Sequence, residues 1–233
     1  MKKITLTFTV LIAMIGIMSF SAIDSVSAFN DQLPAVLNEQ QTEGDQLNLS
    51  EIDALLFMRE EEKLARDVYL TLYEKWNLAI FNNIAKSEQQ HMDAVKILLD
   101  RYNLEDPMLG EIGEFENQKL QELYDELVTT GSESVQDALL IGGAIEEIDI
   151  LDLKDGLTES TNPDVIRVFE SLLRGSYNHL KAFVNNYNRQ TGETYQPQYM
   201  TQADFDEING QSIGNGNGRF QSTFNQGRRG GRR

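Results

Sequence analysis

Ser87-Glu88-Gln89-Gln90-His91-Met92 lies inside a segment, Ile80 to Tyr102, that reads as one long helix. Glu88 and His91 stand three residues apart, so both side chains leave the same face, one turn from each other. That face is otherwise apolar: Phe81, Ile84, Ala85, Met92, Val95, Leu98 and Tyr102. A carboxylate and an imidazole directed into a core need partners, because burying an unpaired charge is costly. A divalent metal is one such partner, and Glu-x-x-His offers it a hard oxygen and a borderline nitrogen. Taken alone the motif is weak, since most such pairs sit on a solvated helix face.

Three further segments carry the same kind of stripe. Upstream, Ser50 with Asp53 reads as a capping box that opens a helix running to Lys75. Its inner face holds Ile52, Leu55, Glu62, Ala65, Tyr69 and Leu72, with Glu61 a competitor for the inward carboxylate beside a second stripe of Phe57, Leu64 and Val68. Downstream, Ser132 or Ser134 opens a helix to about Lys154, with Val135, Ala138, Leu139, Gly142, Ile145, Glu146, Asp149 and Leu153 inward and Gly156 closing it. Glu147 is a less well phased alternative there. Gly142-Gly143 lowers helix propensity and predicts a close approach by a neighbour. Asn162-Pro163 opens the last long helix, whose inner face is Val165, Phe169, Leu172, Ser176, His179, Leu180, Phe183 and Tyr187. Between the second and third long helices, Asp106-Pro107, Gly110 and Gly113 make a loose connection, and Asn117 to Thr129 forms a short amphipathic helix.

The ends differ from this core. Lys2 and Lys3, the apolar run Ile4 to Phe20, and Val26-Ser27-Ala28 read as a secretory signal over residues 1–28, so the mature chain begins at Phe29. An uncleaved N-terminal membrane anchor is the rival reading. Either way the protein is expected outside the cytoplasm. Residues 29–49 read as a polar lead-in, 50–190 as the helical domain, and 191–233 as a disordered Gly/Asn/Arg-rich tail with five arginines from Arg219 onward.

Composition excludes several functions. The formal net charge of −17 argues against nucleic acid as a partner. The 233 residues include no cysteine, which removes disulfides, zinc–thiolate sites, iron–sulfur clusters and a thiol nucleophile. Neither a nucleophile elbow nor a phosphate-cradling loop is present.

The chain has two histidines. One falls in the second long helix and one, His179, in the fourth; the acidic candidates Glu62 and Glu146 fall in the first and third. Four-helix bundles that hold di-iron or di-manganese carboxylate centres place their ligands on four helices in this way. A bundle whose buried acids and histidines pair only with each other, or with Tyr69 and Tyr177, is the plainer alternative.

Glu62-Lys63-Leu64-Ala65-Arg66-Asp67-Val68-Tyr69-Leu70 resembles the ligand stretch in the first helix of ferritins, and Ser87-Glu88-Gln89-Gln90-His91 resembles their second-helix motif. Residues Ile52 to Tyr187 resemble an uncharacterised prokaryotic ferritin-like family. Its marks are Leu123-Tyr124-Asp125 with Leu127 and Gly131, Ile145-Glu146-Glu147-Ile148-Asp149-Ile150, and Leu172-Leu173-Arg174-Gly175-Ser176 with Asn178-His179-Leu180. The resemblance implies an all-α, ferritin-like four-helix bundle, with a long crossover between helices two and three that carries a short extra helix. It implies metal ligation of dinuclear iron or manganese by Glu62, Glu88, His91, Glu146 and His179, to which the position of Asp149 one turn after Glu146 adds a further candidate ligand. Glu62 and Glu146 would be terminal ligands, Glu88 a bridge, and Tyr69 a group that orients a carboxylate. One departure is plain: a glutamate expected three residues before His179 is replaced by Ser176, and Asp149 is the candidate substitute. Dioxygen or peroxide would be the reacting partner, with an external electron donor because the chain has no thiolate iron site of its own. A homo-oligomer fits the resemblance, although long polar ends weigh against a closed cage. Metal capture without turnover, and a structural or partner-binding bundle without metal, remain open. Because ligation needs neutral imidazole, affinity is expected to fall as pH drops through about 6.5.

Overall fold

The computed structural model describes residues 46–210. Those residues form six helices and, among the described residues, no strand. They are α1 (Leu49–Trp76), α2 (Ala79–Arg101), α3 (Gln118–Gly131), α4 (Val135–Glu159), α5 (Pro163–Thr191) and α6 (Gln202–Gly210). The expected secretory signal and the arginine-bearing end lie outside the described residues. None of the described helices is long and apolar enough to cross a membrane.

The four long helices pack in a closed cycle: α1 on α2, α2 on α5, α5 on α4, and α4 back on α1, with α3 laid against α1 and α4. Each helix turns an apolar stripe inward, as burial of amphipathic faces requires. At one end the interior is aliphatic: Leu55, Met58, Val95, Leu98, Leu99, Leu153, Val165 and Leu172 surround Phe169. At the other it is aromatic, with Phe183 5.1 Å from Tyr69 and 5.7 Å from Phe81 between ring centres. The inward carboxylates and imidazoles lie between these two clusters along every long helix.

Several helix ends differ from their expected positions. The capping box that opens α1 is Asn48 with Glu51: Glu51 N–H donates to Asn48 Oδ1, and Asn48 N–H donates to Glu51 Oε2, each at 2.9 Å. The box sits two residues before Ser50 because Glu51 is buried and does a second job. Its Oε1 accepts from the N–H groups of Thr161 and Asn162, both at 2.7 Å, and so ties the start of α1 to the α4–α5 turn. Helix α4 runs through Gly156 to Glu159, since its missing side chain makes room for the Phe169 ring rather than ending the helix. Gly142 and Gly143 do admit close neighbours. A Cβ at Gly142 would stand 2.2 Å from Phe183, and one at Gly143 2.3 Å from the Tyr195 hydroxyl.

The domain also extends past its expected limit at residue 190. Tyr195 and Met200 are buried ahead of α6, and Phe205 and Ile208 are buried within it. Glu147 explains this. Its Oε1 accepts from Tyr195 O–H at 2.7 Å, and its Oε2 accepts from the N–H groups of Gln198, Tyr199 and Met200. Short polar sequence around Gly192 and Pro197 hides this anchoring, because periodicity is absent where a segment is held by one buried carboxylate. Residues 211–233 of the expected tail lie outside the described residues.

Candidate metal centre

Glu88 occupies the middle of the interior, held at a level where all four long helices face one another. Its Oε2 lies 2.8 Å from His91 Nδ1, and its Oε1 lies 2.8 Å from His179 Nδ1. At the same Nδ1 of each imidazole stands a second carboxylate, from another helix. Glu62 Oε2 of α1 is 3.1 Å from His91 Nδ1, and Glu146 Oε2 of α4 is 3.4 Å from His179 Nδ1. The order Glu62, His91, Glu88, His179, Glu146 is therefore close to two-fold about Glu88. The two imidazole rings stack with centres 5.4 Å apart. Glu88, His91 and His179 bring ligand atoms within 4.8 Å of one another, close enough for one ion to touch all three.

Surrounding groups fix these side chains. Tyr69 O–H donates to Glu146 Oε1 at 2.6 Å, which is the orienting contact the sequence suggested for this tyrosine. His179 Nε2 is 2.9 Å from Ser87 Oγ. When Nε2 carries the proton and donates to that hydroxyl, Nδ1 turns a lone pair toward Glu88 and Glu146. Metal-binding histidines are commonly held in this manner through the second ring nitrogen. Asp149 lies in hydrogen-bonding contact with Ser176, whose single hydroxyl proton also has the Leu172 carbonyl, at 3.0 Å, as an acceptor within reach. Asp149 thus fills from α4 the space opposite the serine that replaces the expected glutamate.

Every one of the six side chains is buried. Glu62 Oε1, Glu88 Oε1, Asp149 Oδ1 and His179 Nδ1 nevertheless have no hydrogen-bond partner. Glu88 Oε1 and His179 Nδ1 approach each other at 2.8 Å without hydrogen-bond geometry, so closeness does not satisfy either atom. Buried polar atoms are rarely left in this state. A cation held by Glu88 and the two histidines would satisfy Glu88 Oε1 and His179 Nδ1, and the mixed oxygen and nitrogen set suits iron or manganese better than magnesium.

Protonation follows the same geometry. Burial alone would lower the His91 pKa, but Glu62 and Glu88 overcome it and push it up to about 12. For His179, Glu146 and Glu88 likewise prevail over burial and raise it to about 10. Glu88 is driven upward by burial, yet His179 and His91 hold it down at about 2. Burial raises Glu62 to about 7 against the pull of His91. Burial raises Asp149 well above the carboxylate range, reinforced by Glu62 and Glu146. Without metal, two imidazolium charges supply the positive charge the carboxylates need. A metal ion bound here would have to displace those protons, which moves the expected pH dependence of affinity upward from 6.5.

Glu61, the competitor for the inward position on α1, does not face the histidines. It hydrogen-bonds to Asp152 on α4. Glu147, the alternative on α4, faces the segment before α6. Two contributors escaped the sequence reading. One is Ser87, whose only signal was its place before Glu88. The other is Gly175, where a Cβ would stand 2.4 Å from His91 Nε2. A glycine in mid-helix lowers propensity, and that cost was a usable signal for a close neighbour.

Residues 51–211 match the family described as an uncharacterised protein domain, DUF2202. The chain belongs to the DUF2202 family. It is 52% identical over 162 residues to the uncharacterised protein MJ0754 of Methanocaldococcus jannaschii, a match that spans 68% of this chain and 85% of that protein. The crystal structure of the hypothetical protein MJ0754 superposes on the DUF2202 chain with a TM-score of 0.70 and 48% identity, covering 76% of this chain and 99% of that one. The helical fold is therefore shared with an experimental structure of a relative.

Proposed function

We propose that this DUF2202 protein is an exported, ferritin-like four-helix bundle that holds a dinuclear iron or manganese centre and meets dioxygen or peroxide there. The observation that carries the reading is the Glu88 carboxylate between two imidazole Nδ1 atoms, surrounded by buried ligand atoms that lack partners. In this reading Glu88 would be shared between two metal positions, one held by Glu62 with His91 and the other by Glu146 with His179. Asp149 supplies the carboxylate absent at Ser176. When bound, the metal would supply one-electron redox chemistry. The chain's own groups position and insulate it: Tyr69 orients Glu146, Ser87 fixes the His179 tautomer, and the flanking aliphatic and aromatic clusters exclude bulk water. An electron donor would come from outside the chain.

The test is the metal content of protein purified from cells, followed by dioxygen and peroxide consumption with an external reductant. Bound iron or manganese with consumption supports the full reading. Bound metal without consumption reduces it to metal capture. Absence of both, even after reconstitution, leaves a structural bundle with a polar interior.

A further inference from the structure

Beside the Glu/His centre lies a second group of acids with a different donor set. Glu61 is 6% exposed, and no partner reaches its Oε2. Asp149 is also 6% exposed, with Oδ1 unpartnered. Asp152 stands one turn beyond Asp149 on α4 and is half-buried, and it shares a hydrogen bond with Glu61 across the α1–α4 contact. Two carboxyl groups bond in this way only when a proton lies between them. The groups that act most strongly on Glu61 are themselves acids: Asp152, Asp149 and Glu62. Among the described residues Glu61, Asp149 and Asp152 form no ion pair with lysine, arginine or histidine, whereas Glu62 has His91.

Elsewhere in the fold a buried acid is fully answered. Glu51 and Glu147 each accept several backbone N–H groups. Glu61 and Asp149 stand out because the protein provides no such donors. Acids recur along α4 at every third position, and their burial changes in order. Glu146 and Asp149 are buried, Asp152 is half-buried, and Asp155, which acts electrostatically on Asp152, is exposed. The series leads from solvent to the Glu/His centre.

We propose that Glu61 and Asp152, with the Asp149 charge nearby, form an outer site for a hard divalent cation and that cations reach the Glu/His centre through it. The donor set is all oxygen, which suits manganese(II), iron(II) or magnesium and offers nothing to softer ions. Clefts lined by one sign of charge raise the local concentration of counter-ions and their rate of capture. The delivery role rests on the metal reading of the centre; binding at the outer site does not.

Manganese(II) binding to the full chain, followed by loss of the free-ion electron paramagnetic resonance signal, tests the proposal. Three proteins are compared, each checked for helicity: the parent, Glu61→Gln with Asp152→Asn, and His91→Ala with His179→Ala. The carboxamide variant should bind one manganese fewer per chain and load the centre about tenfold or more slowly. The histidine variant should keep the outer manganese and lose the inner. If the carboxamide variant matches the parent in stoichiometry and rate, the outer site is overturned while the centre stands. If the histidine variant matches the parent, the centre is overturned while the outer site stands. Should the double carboxamide variant fail to fold, Asp152→Asn alone, at a half-exposed position, must still weaken the outer manganese; unchanged affinity overturns the proposal.

Discussion

Two faces of the same two turns of α1 bury charge in opposite ways. Arg59, Glu60, Lys63 and Asp67 face the crossover between α2 and α3, and every one of them is answered. Arg59 donates to Asp106 and to the Met92 carbonyl; Glu60 accepts the N–H groups of Glu116 and Asn117. Lys63 donates to Asp67 and to the carbonyls of Glu111 and Glu114, and Asp67 accepts from Gly113 N–H. Glu61 and Glu62, immediately between them in sequence, each retain an unpartnered oxygen. Burial of charge therefore does not mark a functional site by itself. The outer face is a clamp that ties a loose crossover to a rigid helix. The inner face leaves atoms unsatisfied, which is the ground for proposing a ligand there.

The largest effect expected from this contrast lies on the clamp. Lys63→Met would break the buried Lys63–Asp67 pair but leave Asp67 with Arg66 and the Gly113 N–H, so the loss should sit at about 3 kcal/mol, the low end for a broken buried pair. Urea denaturation should show that loss equally with and without manganese. A loss confined to metal-loaded protein would mean that the clamp belongs to the site.

The inner face should instead show a pH dependence that metal reverses. Without metal, the raised values of His91 and His179 give stability that is fully present below about 6.5 and is lost as pH rises through about 10 and 12. Glu62, raised to about 7, adds stability that is present below 4.5 and lost as pH climbs through 7. Glu88 has the opposite sign: its contribution holds above 4.5 and is lost as pH falls through about 2. Metal-free protein should thus lose stability steadily as pH rises from 6 to 9. Ligation removes the same protons, so the gap in melting temperature between loaded and metal-free protein should widen over that range. A gap that narrows would contradict the protonated-histidine account.

Smaller effects sharpen the comparison. Gly175→Ala places a Cβ against His91 Nε2 and should weaken manganese binding roughly 10–100-fold, as displaced supporting groups do. Tyr69→Phe removes the donor to Glu146. It should cost about 1 kcal/mol of stability, with about a tenfold loss of affinity. Calorimetric titration reads both. Unchanged affinity in either variant would show that the contact is packing alone.

The four long helices were legible in the sequence because their apolar stripes repeat over many turns, and Asn162-Pro163 marked the start of α5 directly. The centre was legible for a narrower reason: only two histidines exist, and each lay on an apolar stripe near an acid. What stayed hidden depended on contacts between distant residues. Nothing around Glu51 signals that it serves both its own helix and Thr161. The choice of Glu62 over Glu61 turns on a helix phase that periodicity alone left open, and packing on α4 decides it. The segment from Gly192 to α6 has no periodic pattern, and Glu147 was read as a competing ligand rather than its anchor.

Anomalous X-ray scattering from crystals grown with manganese tests the central claim most directly. The account predicts two peaks flanking Glu88, one against His91 Nδ1 and Glu62, the other against His179 Nδ1 and Glu146. Both should vanish in Glu88→Ala crystals. An interior without anomalous density at full manganese loading, with the ion only on surface carboxylates, would contradict it.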